Sequence, residues 1–194
     1  MSDKDVLKIF NDTNALLTGH FKLSSGLHSE KYLQCALVLQ YPEHAKKLCA
    51  ALAQKFSAVG GKEKPTAVVA PALGGVIVSY EVANALGCRS LFTEREEGKM
   101  VLRRGFMLSA ADRVVVVEDV VTTGGSTKEV IEAVRQYGAK IVGVGAIINR
   151  SSEPPEFNVN FEYLLKVDVK TFQPQGCPLC KNGVPLVKPG SRKA

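Results

Sequence analysis

The chain has 194 residues, of which 45% are hydrophobic and 23% are charged, the balance of an ordinary globular domain. This composition excludes collagen-like, coiled-coil and intrinsically disordered chains. Lysine and arginine number 25 against 19 acidic residues, and the resulting net charge of +6 favours anionic partners such as phosphorylated molecules or nucleic acid. An aromatic content of 7%, without tryptophan, disfavours a stacking platform for single-stranded nucleic acid.

The sequence predicts a cytoplasmic protein that binds neither a membrane nor nucleic acid. No apolar run approaches the ~18–20 residues of a membrane span, and Asp3, Asp5 and Asp12 are not typical of a signal peptide. The five cysteines lack a framework spacing and are expected to be reduced thiols. Cys177 and Cys180 form half a zinc site, and a Cys₄ site would need a partner subunit because the sequence holds no second C-x-x-C. We expect a structurally neutral tail instead.

The hydrophobic pattern predicts elements in the following chain order. An opening helix is expected over residues 3–17, capped by Ser2 or Asp3. A second helix runs from Pro42 to about Phe56 and is ended by the glycines at 60 and 61. From residue 66 onward β-branched runs alternate with helices that reach about Leu86 and Tyr137; the predicted strands are 66–70, 89–92, 114–117, 141–148 and 161–167.

Unbroken apolar runs joined by helices are typical of parallel strands that are covered on both faces. We therefore predict one α/β domain over 1–194, with a central, mostly parallel, twisted sheet flanked by helices. Its core spans about 62–170, with residues 1–60 and the tail 171–194 appended. Residues 93–113 show no clear periodic element, and loops longer than ~12–15 residues usually bind ligands or act as lids. This segment is predicted to be a lid, with a solvated hairpin as the alternative.

The most informative segment is VVVVEDVVTTGGST, residues 114–127. Four valines predict a buried strand, and Glu118 and Asp119 follow at its carboxyl end, where open α/β sheets bind ligands. Residues 122–127 then open a helix, where glycines, hydroxyls and free N–H groups suit a phosphate. Neighbouring carboxylates accept hydrogen bonds from the vicinal hydroxyls of a ribose. These features together predict a ribose-phosphate site. The segment matches neither a Walker A loop nor a dinucleotide-binding fingerprint. The alternative is a capped helix with two exposed acids.

This segment resembles the phosphoribosyl-pyrophosphate (PRPP) motif of type I phosphoribosyltransferases. GHFKLSSGLHSEKYLQC (19–35), APALGGVIVSYEVANALG (70–87) and FTEREEGKMVLRRGF (92–106) resemble the base-pocket segment, the pyrophosphate-side loop and the mobile catalytic loop of orotate phosphoribosyltransferases. The resemblance implies the type I fold with an N-terminal hood subdomain. It also implies a glycosyltransferase that joins the phosphoribosyl group of PRPP to orotate, giving orotidine 5′-monophosphate and pyrophosphate in pyrimidine (UMP) biosynthesis.

The resemblance further implies roles for individual residues. The catalytic residues would be Lys99, Arg95 and Asp119, with Lys99 and Arg95 gripping pyrophosphate from a lid shared across a homodimer. Mg²⁺ would arrive on PRPP rather than on protein ligands. PRPP would be bound by Glu118, Asp119, Val120, Val121, Thr122, Thr123, Gly124, Gly125 and Ser126, and orotate by Thr122, Arg150, Tyr32 and Leu33.

The sequence departs from the family pattern at three places. Many members carry a basic residue where Ser24 stands and a Tyr-Lys pair where Leu73 and Gly74 stand. They also carry further Lys and His residues on the lid where Glu96 and Val101 stand. Arg103, Arg104 or the backbone N–H groups of Gly74 and Gly75 are candidates to replace them.

Two alternatives stay open. A purine phosphoribosyltransferase is disfavoured because Arg150 and the segment 19–35 suit a carboxylated pyrimidine. A PRPP-sensing regulator of nucleic acid would carry a helix-turn-helix or a contiguous basic face, and the sequence indicates neither. His20, His28 and His44 are too dispersed to indicate a catalytic triad, although His28 lies in the base-pocket segment.

Overall fold

A computed structural model describes residues 1–23, 25–57, 64–153 and 155–189. Ser24 and the glycines at 60 and 61, which the sequence analysis singled out, lie outside these residues. In chain order the elements are α1 (Asp3–Asp12), β1 (Leu16–Lys22), β2 (His28–Leu33), α2 (Ala36–Leu39), α3 (Pro42–Ser57), β3 (Ala67–Pro71), α4 (Gly74–Leu86), β4 (Arg89–Glu96), β5 (Lys99–Leu102), β6 (Arg113–Val121), α5 (Gly125–Arg135), β7 (Lys140–Asn149), β8 (Phe161–Lys166), β9 (Thr171–Phe172), a 3₁₀ turn (Pro174–Gly176) and α6 (Pro178–Lys181).

The central sheet has the strand order β5-β4-β3-β6-β7-β8 and is parallel except for β5. Along β6, Val115 and Val117 pack on the face that α3 and α4 cover, whereas Val114 and Val116 pack on the face that α5 covers. Both faces are therefore buried, which is why these strands read as unbroken apolar runs. The prediction of a mostly parallel sheet flanked by helices is confirmed.

The predicted helices are confirmed with one correction. Helix α1 carries the predicted cap at Ser2 but ends at Asp12, so the prediction of helix over 3–17 is wrong beyond that residue. Asn14 adopts a φ of 53°, a left-handed conformation that asparagine tolerates and a helix does not. The chain then turns into β1 at Leu16. In the described ranges, no helix is long and apolar enough to cross a bilayer.

Glycines in β7 explain how α3 reaches the sheet. A Cβ added at Gly143 or Gly145 would lie 2.7 Å or 2.9 Å from ring carbons of Phe56, near the end of α3. The ring fills the space that side chains at these positions would take, so the two glycines serve close packing of a helix on the sheet.

The predicted lid begins as a regular hairpin. Strands β4 and β5 pair from Thr93 with Leu102 to Glu96 with Lys99. Glu97 and Gly98 between them have φ values of 48° and 83°, the two positive values of a type I′ turn. The expectation that residues 93–113 lack a periodic element is wrong up to Leu102, where the hairpin alternative is confirmed.

The C-terminal tail packs closely around the β1–β2 hairpin. Strand β9 pairs with the outer edge of β2, while Val187 pairs with Phe21 on the other edge, in β1. The Val187 N–H donates to the carbonyl oxygen of His20 at 2.8 Å, and the Val187 carbonyl accepts from the Lys22 N–H at 2.8 Å. The expectation of a structurally neutral tail is wrong, because the tail caps both edges of this small sheet.

Candidate active site

Two carboxylates lie at the carboxyl end of β6, in the middle of the sheet. Glu118 is 8% exposed, and its Oε1 accepts a hydrogen bond from the Asp119 N–H at 3.3 Å. The Val120 N–H donates to Asp119 Oδ1 at 2.8 Å. Burial raises the pKa of Asp119; burial first and then the charge of Asp119 raise the pKa of Glu118 well above its usual range. The two adjacent carboxylates can therefore accept hydrogen bonds from a ligand, and donors or positive charge on that ligand would stabilise their ionised forms.

The start of α4 forms a wall beside these carboxylates. A Cβ added at Gly74 would lie 2.9 Å from Asp119 Oδ2, and one at Gly75 would lie 3.4 Å from Glu118 Oε1. Backbone, rather than side chains, therefore faces the acids on this side. Leu73 precedes the helix with 88% of its surface exposed, and the peptide bond between Ala72 and Leu73 is cis.

The turn between β6 and α5 forms the predicted anion cradle. Gly124 has a φ of 76°, and a Cβ there would lie 2.9 Å from the Phe157 ring and 3.0 Å from Pro155 Cβ. Gly125 is exposed and has ordinary space around it. Among the described residues no side chain caps the start of α5, so its first N–H groups and helix dipole suit an anion. The sequence analysis missed Phe157 and Pro155, because nothing in their local pattern indicates this packing.

The arginine after β7, Arg150, lies at the same edge of the sheet as the two carboxylates. The Arg150 N–H donates to the Val121 carbonyl oxygen at 2.8 Å, which places Arg150 next to the end of β6. Burial raises the pKa of Tyr32, the charge of Arg150 lowers it and the charge of Asp119 raises it, so all three side chains lie within electrostatic range. Burial lowers the pKa of Arg150, yet a guanidinium keeps its charge. The fold thus brings Tyr32 of the β1–β2 hairpin, Asp119 of β6 and Arg150 after β7 close to one another.

Comparison with known proteins agrees with this geometry. The model of the phosphoribosyl transferase domain family matches residues 38–173. Orotate phosphoribosyltransferase of Desulforamulus reducens is 52% identical over 193 residues, covering 100% of this chain and 99% of the relative. The enzyme of the same name from Carboxydothermus hydrogenoformans is 54% identical over 189 residues, covering 97% and 98%. The crystal structure of orotate phosphoribosyltransferase from Aeropyrum pernix superposes with a TM-score of 0.66 at 25% identity, covering 84% of this chain and 93% of that one.

The chain belongs to the orotate phosphoribosyltransferase family. Its fold is that of the type I phosphoribosyltransferases, as the sequence analysis predicted.

The predicted PRPP-binding and orotate-binding residues differ in how deeply they are buried. Residues 118–126 and Arg150 lie together at the carboxyl edge of the sheet, where Thr122 is half-buried and Val121 is 1% exposed and packs in the core. Tyr32 is also half-buried, with its ring centroid 5.8 Å from that of Phe21. Leu33 is 7% exposed and belongs to the core cluster that residues of α1 and α3 share. Its part in orotate binding stays a prediction.

The lid residues are held by contacts within the same chain. Lys99 is exposed on β5, next to the tight turn. Arg95 forms an ion pair with Glu129 of α5 at 2.7 Å and also donates to the carbonyl oxygen of Gly98. Arg104 binds both carboxylate oxygens of Glu94, at 2.7 and 2.8 Å, which lowers the pKa of Glu94. The β4–β5 hairpin thus lies against α5, and the Arg95–Glu129 ion pair joins the two.

Proposed function

We propose that this chain transfers the 5-phosphoribosyl group of PRPP to N1 of orotate, giving orotidine 5′-monophosphate and pyrophosphate. The observation that carries this proposal is the pair of carboxylates at the end of β6, buried Glu118 and half-buried Asp119, placed directly before the uncapped start of α5. Relatives that are half identical over the whole chain are orotate phosphoribosyltransferases, which supports orotate rather than a purine as the acceptor.

PRPP would lie along the carboxyl edge of the sheet. Its 5′-phosphate fits the start of α5, where Gly124 and Gly125 allow close approach of the backbone and Thr122, Thr123 and Ser126 offer hydroxyl donors. The ribose 2′- and 3′-hydroxyls would donate to Glu118 and Asp119. These bonds favour the ionised carboxylates and offset the burial that raises their pKa values. Binding of the ribose hydroxyls would therefore lower the pKa values of both carboxyls.

Orotate would be held by Arg150, Thr122 and Tyr32. The half-buried guanidinium of Arg150 matches the orotate carboxylate through two parallel hydrogen bonds. A buried cation without an anion is costly, so the site discriminates against uracil, which lacks the carboxylate. The Tyr32 ring supplies an apolar surface for the pyrimidine.

The reaction forms the bond from orotate N1 to ribose C1 while the bond from C1 to the pyrophosphate oxygen breaks, and the proton of N1 is released to solvent. Positive charge develops on the ribose and negative charge on pyrophosphate, so fixed cations near the leaving group accelerate the step. Lys99 and Arg95 of the β4–β5 hairpin would supply these cations, with Asp119 facing the ribose. Mg²⁺ carried by PRPP would add charge on the pyrophosphate oxygens, the hard ligands that it prefers. A closed lid would exclude the water that hydrolyses PRPP.

We propose further that the chain forms a homodimer whose lids are shared between subunits, and that it acts in the cytoplasm. In the single chain, the β4–β5 hairpin stands at the edge of the central sheet, where it can reach a neighbouring subunit. Release of Arg95 from Glu129 would accompany that reach, because Glu129 lies on α5 of the same chain.

The test is a spectrophotometric assay of orotate consumption with PRPP and Mg²⁺, beside adenine, hypoxanthine and uracil. We expect turnover of orotate only, lost in Lys99→Ala and kept in Lys8→Ala, a matched exposed lysine on α1. Dimers mixed from Lys99→Ala and Asp119→Ala chains regain one intact site if the lid is shared. If the lid acts within its own chain, the mixed dimers stay inactive. Binding of PRPP without turnover of any base would contradict the proposed function.

A further inference from the structure

A second cluster of reactive side chains lies outside the proposed active site, between the β1–β2 hairpin and the tail. His20 of β1 and His28 of β2 meet Cys177 and Cys180, which flank and lie within α6. His20 Nε2 lies 3.5 Å from Cys177 Sγ and 3.7 Å from Cys180 Sγ, and His28 Nδ1 lies 3.3 Å from Cys180 Sγ. The two ring nitrogens are 2.9 Å apart. All four atoms lie within 4.8 Å of one another.

These separations are those of ligands around one tetrahedral ion. With Zn–N near 2.0–2.1 Å and Zn–S near 2.3 Å, neighbouring ligand atoms in a tetrahedron lie about 3.3–3.8 Å apart. The four contacts of 2.9–3.7 Å need shifts of only a few tenths of an ångström to match, and the widest separation in the cluster, 4.8 Å, must close by about 1 Å. Two thiolates and two imidazoles are the donor set of structural Cys₂His₂ zinc sites, and a tetrahedral S₂N₂ arrangement favours zinc among the common divalent metals.

The surroundings hold the ligands in place before a metal arrives. His20 Nδ1 lies 2.8 Å from the Val184 carbonyl oxygen, which accepts its proton and leaves the Nε2 lone pair pointing at the two sulfurs. Cys177, His20 and His28 are 0%, 2% and 4% exposed, so the ligands need little further desolvation. The backbone hydrogen bonds of Val187 to His20 and Lys22 fix the tail against β1, which carries His20.

We propose that His20 Nε2, His28 Nδ1, Cys177 Sγ and Cys180 Sγ bind one structural zinc ion. Four protein ligands leave no open position, so the ion serves structure rather than catalysis. Binding displaces the two thiol protons, and the metal joins segments that are 160 residues apart in the chain. The ion fastens the tail to the hairpin that also carries Tyr32, and the proposal does not depend on the identity of the transferred base. Both cysteines come from one chain, so the site needs no partner subunit, in contrast to a Cys₄ site.

Metal binding is measured first on the full-length protein. We expect about one zinc per chain by elemental analysis after purification in zinc-containing medium and removal of loosely bound metal. Cobalt added to the metal-depleted protein should give the intense visible bands of tetrahedral Co²⁺ and a near-ultraviolet band from sulfur-to-cobalt charge transfer. Cys180→Ser should lose the zinc and change the cobalt spectrum. Cys88→Ser, a half-buried cysteine outside the cluster, is the matched control and should keep both.

Limited proteolysis then tests the role of the ion without relying on activity. Trypsin should cut after Lys181 at least tenfold faster in metal-depleted protein or in Cys180→Ser than in zinc-loaded wild type, because the tail is released from the hairpin. Cys180 is exposed, so its replacement by serine leaves the core packing intact, and circular dichroism checks the fold. The proposal is overturned if folded wild type binds neither zinc nor cobalt stoichiometrically, or if Cys180→Ser binds them as wild type does.

Discussion

Replacing Gly124 by alanine probes how tightly the turn before α5 is packed. An L residue at its φ of 76° costs about 1–2 kcal/mol. The added Cβ would also lie 2.9 Å from the Phe157 ring, and relief of such overpacking costs typically about 1–3 kcal/mol. Together the free energy of unfolding should fall by about 2–5 kcal/mol, which for a chain of this size lowers Tm by roughly 4–20 °C.

The neighbouring glycine provides the control for this substitution. A Cβ at Gly125 would have only Thr123 Oγ1 near it, at an ordinary 3.7 Å, and its φ is not left-handed. Gly125→Ala should therefore leave Tm unchanged or raise it, because alanine is favoured over glycine in a helix by up to about 1 kcal/mol. Thermal unfolding followed by circular dichroism measures both variants. Equal Tm values for the two would refute the reasoning.

Phe157→Leu separates the steric contribution from the backbone contribution. In a double-mutant cycle, Gly124→Ala should cost about 1 kcal/mol less in the Phe157→Leu background, because the smaller side chain yields to the Cβ. The part that remains is the cost of the left-handed backbone. If the cost is the same in both backgrounds, the ring is not the obstacle that the structure indicates. The KM for PRPP should rise in Gly124→Ala, because the shifted turn misaligns the N–H groups of the phosphate site.

Two further predictions concern the charged residues Glu118 and Arg150 at the carboxyl edge of the sheet. Glu118→Gln should raise Tm at neutral pH, because burial and Asp119 raise the pKa of Glu118, so its carboxylate destabilises the fold above that pKa. Wild type should regain this stability as the pH falls through the raised pKa toward the ordinary value of 4.5. The same variant should lose about 10–100-fold in kcat/KM for PRPP, whereas Glu132→Gln, an exposed acid on α5, should change neither quantity; a Tm below wild type would contradict the argument. Arg150→Lys should raise KM for orotate by about 10–100-fold and spare KM for PRPP, because an ammonium cannot bind the carboxylate with two parallel bonds, and Arg135→Lys serves as the control. An equal rise in both KM values would place Arg150 elsewhere.

Local sequence determined the elements that are buried on both faces or bounded by strong signals. The valine run of β6 predicted a covered strand, and the two glycines after it predicted the start of a helix. Ser2 marked the start of α1, and Gly87 with a φ of 66° ended α4 at Leu86 as predicted. In these places the signal lies within a few residues of the structure it specifies.

Tertiary structure decided what depends on distant segments. The edge hairpin β4–β5 has one partner strand and a half-exposed surface, so its residues show no periodic pattern even though Glu97 and Gly98 are suited to its turn. The burial of Leu33, 7% exposed and packed in the core, follows from the pairing of β1 with β2, which its local sequence does not reveal. Phe157 closes behind Gly124 through a long connection that no spacing rule covers.

The histidine–cysteine cluster shows this division most clearly. In the sequence, Cys177 and Cys180 were half a metal site, and the histidines were isolated residues near the other end of the chain. Pairing of β9 and Val187 with the two edges of the hairpin brings them together. A spacing motif carries only the ligands that one segment contributes, whereas a site completed by strand pairing exists only once the chain has folded.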